Sequence, residues 1–131
     1  MALRFEFDSA NKILLARFEG RLTDESLQDS YKTLGKYVAA TDPSAAITDF
    51  SSVTEFAVSS ETFRQLARQE PALPDVTRPR VVVAPQTHAY GLLRMFQLTG
   101  ERTRPLLTVV HTMDEAFATL GLQSPHFEPL E

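Results

Sequence analysis

The sequence predicts an α/β domain in which strands and helices alternate along most of the chain. Near the start, apolar residues recur at every second position in two segments, as in half-buried strands. Further along, they recur at spacings of three and four, as in amphipathic helices. The run Arg80–Ala84 contains three successive valines, which is typical of a central strand buried on both faces. Together these patterns favour a sheet covered by helices.

The predicted order of elements is ββαβαβαβα, a mixed, mostly parallel five-stranded sheet with four helices. Leu3, Phe5 and Phe7 alternate with charged residues in the first strand, and Gly20 is expected to end the second. Thr23 is the predicted N-cap of the first helix, and Ser59 or Ser60 that of the second. The predicted strands are 3–8, 13–19, 45–50, 80–84 and 106–110. The predicted first, third and fourth helices are 24–40, 88–98 and 113–120.

Length and composition indicate one ordinary domain. With 131 residues and 43% apolar content, residues 1–122 are expected to form a single core, with 123–131 as a tail along the surface. The absence of cysteine excludes disulfides and thiolate metal sites. No signal-peptide pattern and no apolar run of about 20 residues are present, so we expect a soluble cytoplasmic protein; peripheral membrane contact stays open.

Charge is distributed unevenly along the chain. The net charge of −4 argues against nucleic acid as a partner. Residues 61–104 nevertheless hold seven arginines against four acids. A solvated surface is the favoured interpretation, and a local patch for an anion or an acidic partner is the alternative.

Two short motifs resemble the STAS fold, which is shared by bacterial anti-sigma factor antagonists, SpoIIAA-like proteins and the cytoplasmic domains of sulfate transporters. The segment Phe18–Leu27, FEGRLTDESL, is similar to the family's strand, glycine, turn and first helix. Asp49–Val53, DFSSV, is similar to its Asp-Leu-Ser-x-Val. The second half of the chain looks more like stand-alone bacterial SpoIIAA-like proteins. Such proteins are grouped with the lipid-carrying CRAL-TRIO fold, so the resemblance implies apolar ligand binding.

In the antagonists, the next motif is Asp-Ser-Ser/Thr-Gly, whose first serine is phosphorylated by a partner kinase. Without a gap it falls on Ala57–Ser60 and has no acceptor in place; with one inserted residue it falls on Val58–Glu61. The second alignment restores both serines but lacks the aspartate and the glycine. The resemblance thus implies a phospho-switch at Ser59 as an alternative function. Helix capping is the structural interpretation of the same serine. Glu61 in the first turn of the helix would repel a phosphate on that serine.

The third predicted helix has an unusually wide apolar face, about 160° of its circumference. It is interpreted as a fully buried helix, as a homodimer or partner surface, or as one wall of an apolar pocket. Gly91 costs about 1 kcal/mol relative to alanine, and close approach by a backbone or ligand would explain it. The candidate interface residues are Leu92, Met95, Phe96 and Leu98.

Enzyme and metal chemistry find little support. Ser59, His88 and Asp49 lie near predicted strand ends and would supply a hydrolase triad, but there is no Gly-x-Ser-x-Gly elbow. The three histidines, His88, His111 and His126, lack metal-ligand spacing. We expect neither an enzyme, nor a metal, nor a cofactor.

The leading hypothesis is a non-enzymatic module that binds a protein partner or a small apolar or anionic ligand. Binding is expected at the loops after the third and fourth strands, where α/β sheets usually hold ligands. Tyr90 and Arg94 lie four residues apart, so they are expected to share a helix face. The candidate residues are Asp49, Ser51, Ser59 and Ser60 from the first loop, and Thr87, His88, Tyr90 and Arg94 from the second.

Overall fold

The computed structural model describes residues 2–130 and contains one six-stranded mixed sheet with four helices. The sheet order is β5-β4-β3-β2-β1-β6; β2 to β5 are parallel, and β1 is antiparallel to both of its neighbours. The elements are β1 (Ala2–Asp8), β2 (Ile13–Thr23), α1 (Asp24–Thr41), β3 (Ala45–Ala57), α2 (Ser60–Arg68), β4 (Arg80–Val83), α3 (Thr87–Thr99), β5 (Leu107–Val110), α4 (Met113–Leu120) and β6 (Glu128–Pro129).

The two faces of the sheet carry separate apolar cores. Along β3, side chains alternate between the faces, so that Phe50 joins the core with α1, α2 and α3, whereas Ile47 joins the core with α4. All four residues of β4 are buried, as the valine run predicted. The face that carries α4 also bears the ion pairs Arg17–Glu6 (2.7 Å) and Arg4–Glu19 (2.5 Å) on β1 and β2.

The prediction that Gly20 ends β2 is wrong. Gly20 has a φ of 85°, and the strand continues through a register irregularity to Thr23. Its last residues pair with β3, which therefore runs to Ala57 instead of ending at Phe50. Ser51 consequently lies within a strand rather than a loop. The extension was invisible in the sequence because long-range pairing, not local apolar alternation, forms it.

The predicted five-strand count is one short, because the tail contributes β6. Its two residues pair with β1, and the Leu130 N–H donates to the Phe5 carbonyl at 2.8 Å. Phe127 stacks on Phe117 of α4, with ring centres 6.2 Å apart. A two-residue strand is too short to produce a readable period, whereas the apolar side chains beside it anchor the tail.

Helix capping follows the sequence closely. Thr23 caps α1 through a capping box with Ser26, and Ser59 caps α2. Close approach by another part of the described chain does not explain Gly91, because a methyl group at this position would meet no heavy atom within 4 Å. Approach by a ligand stays a prediction. Nothing in the structure explains this glycine.

Among residues 2–130, no helix combines the length and the apolar character that crossing a bilayer demands.

Candidate functional site

The sheet edge predicted to bind ligand, here called the strand-end edge, begins at Asp49. This residue is 4% exposed and lies opposite Val83, the last residue of β4. Its Oδ1 accepts the Ser51 N–H at 2.9 Å, and its Oδ2 lies 4.0 Å from Nη1 of Arg17. The Asp49 carboxylate therefore has partners within the sheet, while the side chain of Ser51 is exposed.

Ser59 lies between two helix N-termini. Its Oγ accepts the Thr62 N–H at 3.2 Å, and its own N–H donates to Oδ1 of Asp24 at 2.8 Å. This hydrogen bond from the Ser59 backbone holds the pKa of the Asp24 carboxyl below its usual value. Ser60 follows as the half-buried first residue of α2. The exposed Ser59 hydroxyl thus faces a carboxylate.

The second group of predicted residues occupies the start of α3. Thr87 and His88 are exposed. The Tyr90 ring stacks on His111, with ring centres 4.0 Å apart, whereas Arg94 donates to Oε1 of Gln97 at 2.6 Å. Tyr90 and Arg94 thus engage different partners, although their spacing predicted a shared face.

Gln86, which sequence reasoning missed, joins α3 to β3. Its Nε2 donates to the carbonyls of Phe50 (3.0 Å) and Val53 (3.1 Å). No local pattern marks this glutamine, because its role depends on the extension of β3. The residues of the hydrolase hypothesis do not form a triad. Asp49 is hydrogen-bonded to Ser51, and Ser59 is hydrogen-bonded to Asp24. Within the described chain, neither residue forms a hydrogen bond with His88.

The predicted interface residues of α3 are mostly turned toward the protein. Leu92, Met95 and Phe96 are half-buried and pack against the core. Leu98 is 64% exposed. A homodimer or partner contact through this helix stays a prediction, with Leu98 as its most accessible member.

A concavity lies between α1 and the α2–α3 pair. The space between α1, the sheet and the α2–α3 pair encloses a cavity of about 130 Å³, here called the α1 cavity. Its walls are mainly apolar. Helix α1, the sheet and the α2–α3 pair contribute Leu27, Val38, Ala46, Phe50, Phe63 and Phe96. Of the wide apolar face of α3, Leu93 and Phe96 line this cavity.

Arg80 is the first residue of β4, lines the α1 cavity and is 8% exposed. Its Nη atoms donate only to loop carbonyls, those of Leu73 (2.8 Å), Asp75 (2.8 Å) and Arg78 (3.0 Å). Its Nε is buried and has no hydrogen-bond partner within the described chain. The side chain therefore anchors the loop before β4 and retains an unused donor.

Arg104 lies just before β5 and is 5% exposed. Its Nη atoms donate to the carbonyls of Leu66 (3.1 Å) and Ala67 (3.2 Å) and to the Tyr31 hydroxyl (2.8 Å). Its guanidinium carbon lies 5.0 Å from the ring centre of Phe96. Arg104 thus caps the end of α2 and lines the same cavity.

The two arginines form a positively charged end of the α1 cavity. Across residues 2–130, no carboxylate oxygen lies within 4.0 Å of either guanidinium. Burial lowers the pKa of both, and the charge of Arg104 lowers that of Arg80 further. Burial raises the pKa of the Tyr31 hydroxyl, so it stays neutral beside them. The excess of arginines in residues 61–104 was visible in the sequence. The sequence did not indicate that two of these arginines are buried.

In the described part of the chain, no three His, Asp or Glu side chains gather in a way that would hold a metal ion.

No protein family matches the chain by sequence, and no curated protein does so either. Several solved structures share its architecture, and two of them are structures of SpoIIAA. The Bacillus cell fate determinant SpoIIAA in its phosphorylated form aligns with a TM-score of 0.57 at 18% identity, over 91% of this chain and 99% of that one. The anti-sigma factor antagonist SpoIIAA in its unphosphorylated form aligns with a TM-score of 0.59 at 13% identity, over 92% and 98%.

The chain has the SpoIIAA-like, or STAS, fold. The likeness extends over nearly all of both chains, as the short motifs predicted. At these identities it establishes the SpoIIAA-like architecture, and the ligand has to be inferred from the residues of this chain.

Proposed function

We propose that this protein is a non-enzymatic binding module that holds a small, largely apolar molecule in the α1 cavity. The observation that carries the proposal is the cavity itself, about 130 Å³ of space beside side chains such as Leu27, Phe50 and Phe63. An engineered cavity of about 150 Å³ with similar walls binds benzene. A molecule of about six or seven heavy atoms is therefore the expected size, with a longer one reaching the opening.

The contrast with the strand-end edge supports this choice of site. There, the polar groups of Asp49 and Ser59 are already hydrogen-bonded to neighbouring residues. The walls of the α1 cavity, by contrast, are mainly apolar. Removing apolar ligand surface from water contributes about 25 cal/mol per Å², so filling the cavity is favourable.

Isothermal titration calorimetry with 1-hexanol tests the proposal. Ala46 lies on the cavity wall, so Ala46→Leu would occupy part of the space that a ligand needs. Ala118→Leu makes the same chemical change on the exposed side of α4 and serves as the matched control. We expect the wild type and Ala118→Leu to bind hexanol and Ala46→Leu to lose binding while remaining folded. No binding by the wild type, or equal binding by Ala46→Leu, would contradict the proposal.

A phospho-switch at Ser59 is the second candidate function. It is supported by the exposed Ser59 hydroxyl at a helix N-terminus and by the likeness to SpoIIAA in its phosphorylated form. Two acids oppose it, since Asp24 bonds Ser59 and Glu61 lies in the first turn of α2. Mass spectrometry of the protein purified from its native cells decides the matter. Phosphate on Ser59 would support the switch, and an unmodified peptide under all growth conditions would contradict it.

A further inference from the structure

The arginine end of the α1 cavity holds more positive charge than its surroundings balance. Arg104 donates to carbonyls in the last turn of α2, where a helix carries roughly half a negative charge. Arg80 has only the carbonyls of an irregular loop as partners. Neither guanidinium contacts a carboxylate in residues 2–130. A buried charge normally has a counter-charge. The carboxylate of Asp75 acts on Arg80 only from beyond 4.0 Å, so Arg80 has no direct ionic partner among the described residues.

The position of Arg80 in the cavity wall points to the same residue. A guanidinium has five N–H groups, and a carboxylate can accept two of them side by side. Arg80 is more than nine-tenths buried, lines the cavity and has a buried Nε without a partner. An anionic group in the cavity would supply the missing counter-charge for Arg80.

We propose that the ligand of the α1 cavity is a small amphipathic carboxylate, whose apolar chain fills the space beside Phe50 and Phe63 and whose carboxylate binds Arg80. This inference rests on the proposed function and specifies the chemistry of its ligand. Arg104 contributes a second positive charge at the same end but is largely engaged in capping α2.

Three probes of equal chain length separate the charge requirement from the apolar one. In calorimetric titrations at pH 7, hexanoate should bind the wild type at least about 10-fold more tightly than 1-hexanol, as expected for a charged hydrogen bond. Hexylammonium should bind more weakly than hexanol, because it brings a third positive charge. Hexanoate binding no tighter than hexanol binding would overturn the inference and leave the proposed function intact. No binding by either would overturn both.

Substitution of Arg80 provides the second test. Arg80→Met keeps an apolar stem but removes the charge and the Nε donor, so the preference for hexanoate over hexanol should disappear while hexanol still binds. The control is Arg78→Met in the same loop, where the guanidinium pairs with Asp42 (2.6 Å) and Asp75 (3.2 Å). It should retain the preference. An undiminished preference in Arg80→Met would contradict the inference; if that variant does not fold, the comparison of the three probes on the wild type decides alone.

Discussion

The two ends of the parallel strands use their polar residues differently. At the strand-end edge, the side chains of Ser51 and His88 are exposed, and Ser59 is hydrogen-bonded to Asp24. Gln86 lies there too, and its buried Oε1 has no hydrogen-bond partner within the described chain. At the amino ends, Arg80 and Arg104 are buried beside an apolar cavity and have no carboxylate nearby in the described chain. The first arrangement stabilises helix starts and the sheet. The second places two positive charges beside an apolar cavity, and this combination is the basis of the proposed binding site.

The largest expected difference between the two regions is in stability. Phe63 is 2% exposed and packs against Phe56 and Phe96 at the cavity wall. Phe63→Ala should therefore lower the free energy of unfolding by about 3–5 kcal/mol. His88→Ala, at the exposed start of α3, should change it by less than about 0.5 kcal/mol. Urea denaturation measures both, and similar losses would remove the contrast between the regions.

A moderate effect is expected from the cap of α2. Ser59→Ala removes the acceptor for the Thr62 N–H and should cost about 1 kcal/mol in urea denaturation. Ser60→Ala, one residue later and inside the helix, should be nearly neutral. A neutral Ser59→Ala would contradict the capping role and strengthen a regulatory interpretation of the serine.

Gly91 offers a smaller effect of opposite sign. Alanine at this exposed helical position meets no atom within 4 Å, so Gly91→Ala should raise the free energy of unfolding by about 0.5–1 kcal/mol. Gly121, with a φ of 66°, ends α4 in the left-handed region, and Gly121→Ala should destabilise instead. Destabilisation by Gly91→Ala would indicate that an unseen partner or ligand approaches α3 there.

The smallest effect is a pH dependence at the strand-end edge. Because the folded-state pKa of Asp24 is lowered, its ionised carboxylate stabilises the fold above its unfolded pKa of about 4, and this contribution is lost as pH falls through the folded value. Asp24→Asn should therefore be less stable than the wild type at pH 7, with the difference closing in acid. Unfolding curves from pH 2 to 7 would show it, and a pH-independent difference would contradict the carboxylate's role.

Local signals were enough to predict much of the fold. Thr23 and Ser59 are followed by helical periodicity, and both cap helices; α4 has its predicted bounds, Met113–Leu120. These features depend on residues within a few positions of one another. The predicted fold class and the resemblance to STAS proteins are confirmed by the solved SpoIIAA structures.

Features that depend on distant contacts were missed. β3 continues past Phe50 because β2 pairs with it, and the tail joins the sheet only through β1. Arg80 and Arg104 looked like members of a solvated arginine group. Their burial depends on where α1 and the loop before β4 pack, which composition does not report. The sequence therefore predicted an anion patch as an alternative without indicating the two residues that would form it.

One measurement tests the central claim most directly: methyl NMR spectra of the protein titrated with 1-hexanol. If the α1 cavity is the binding site, shifts should be largest at the methyl groups of Leu27, Leu66 and Leu93, which line it. Leu98 and Leu106, exposed on the surface, should be unchanged. Shifts confined to the exposed leucines, or none at saturating hexanol, would contradict ligand binding in the cavity.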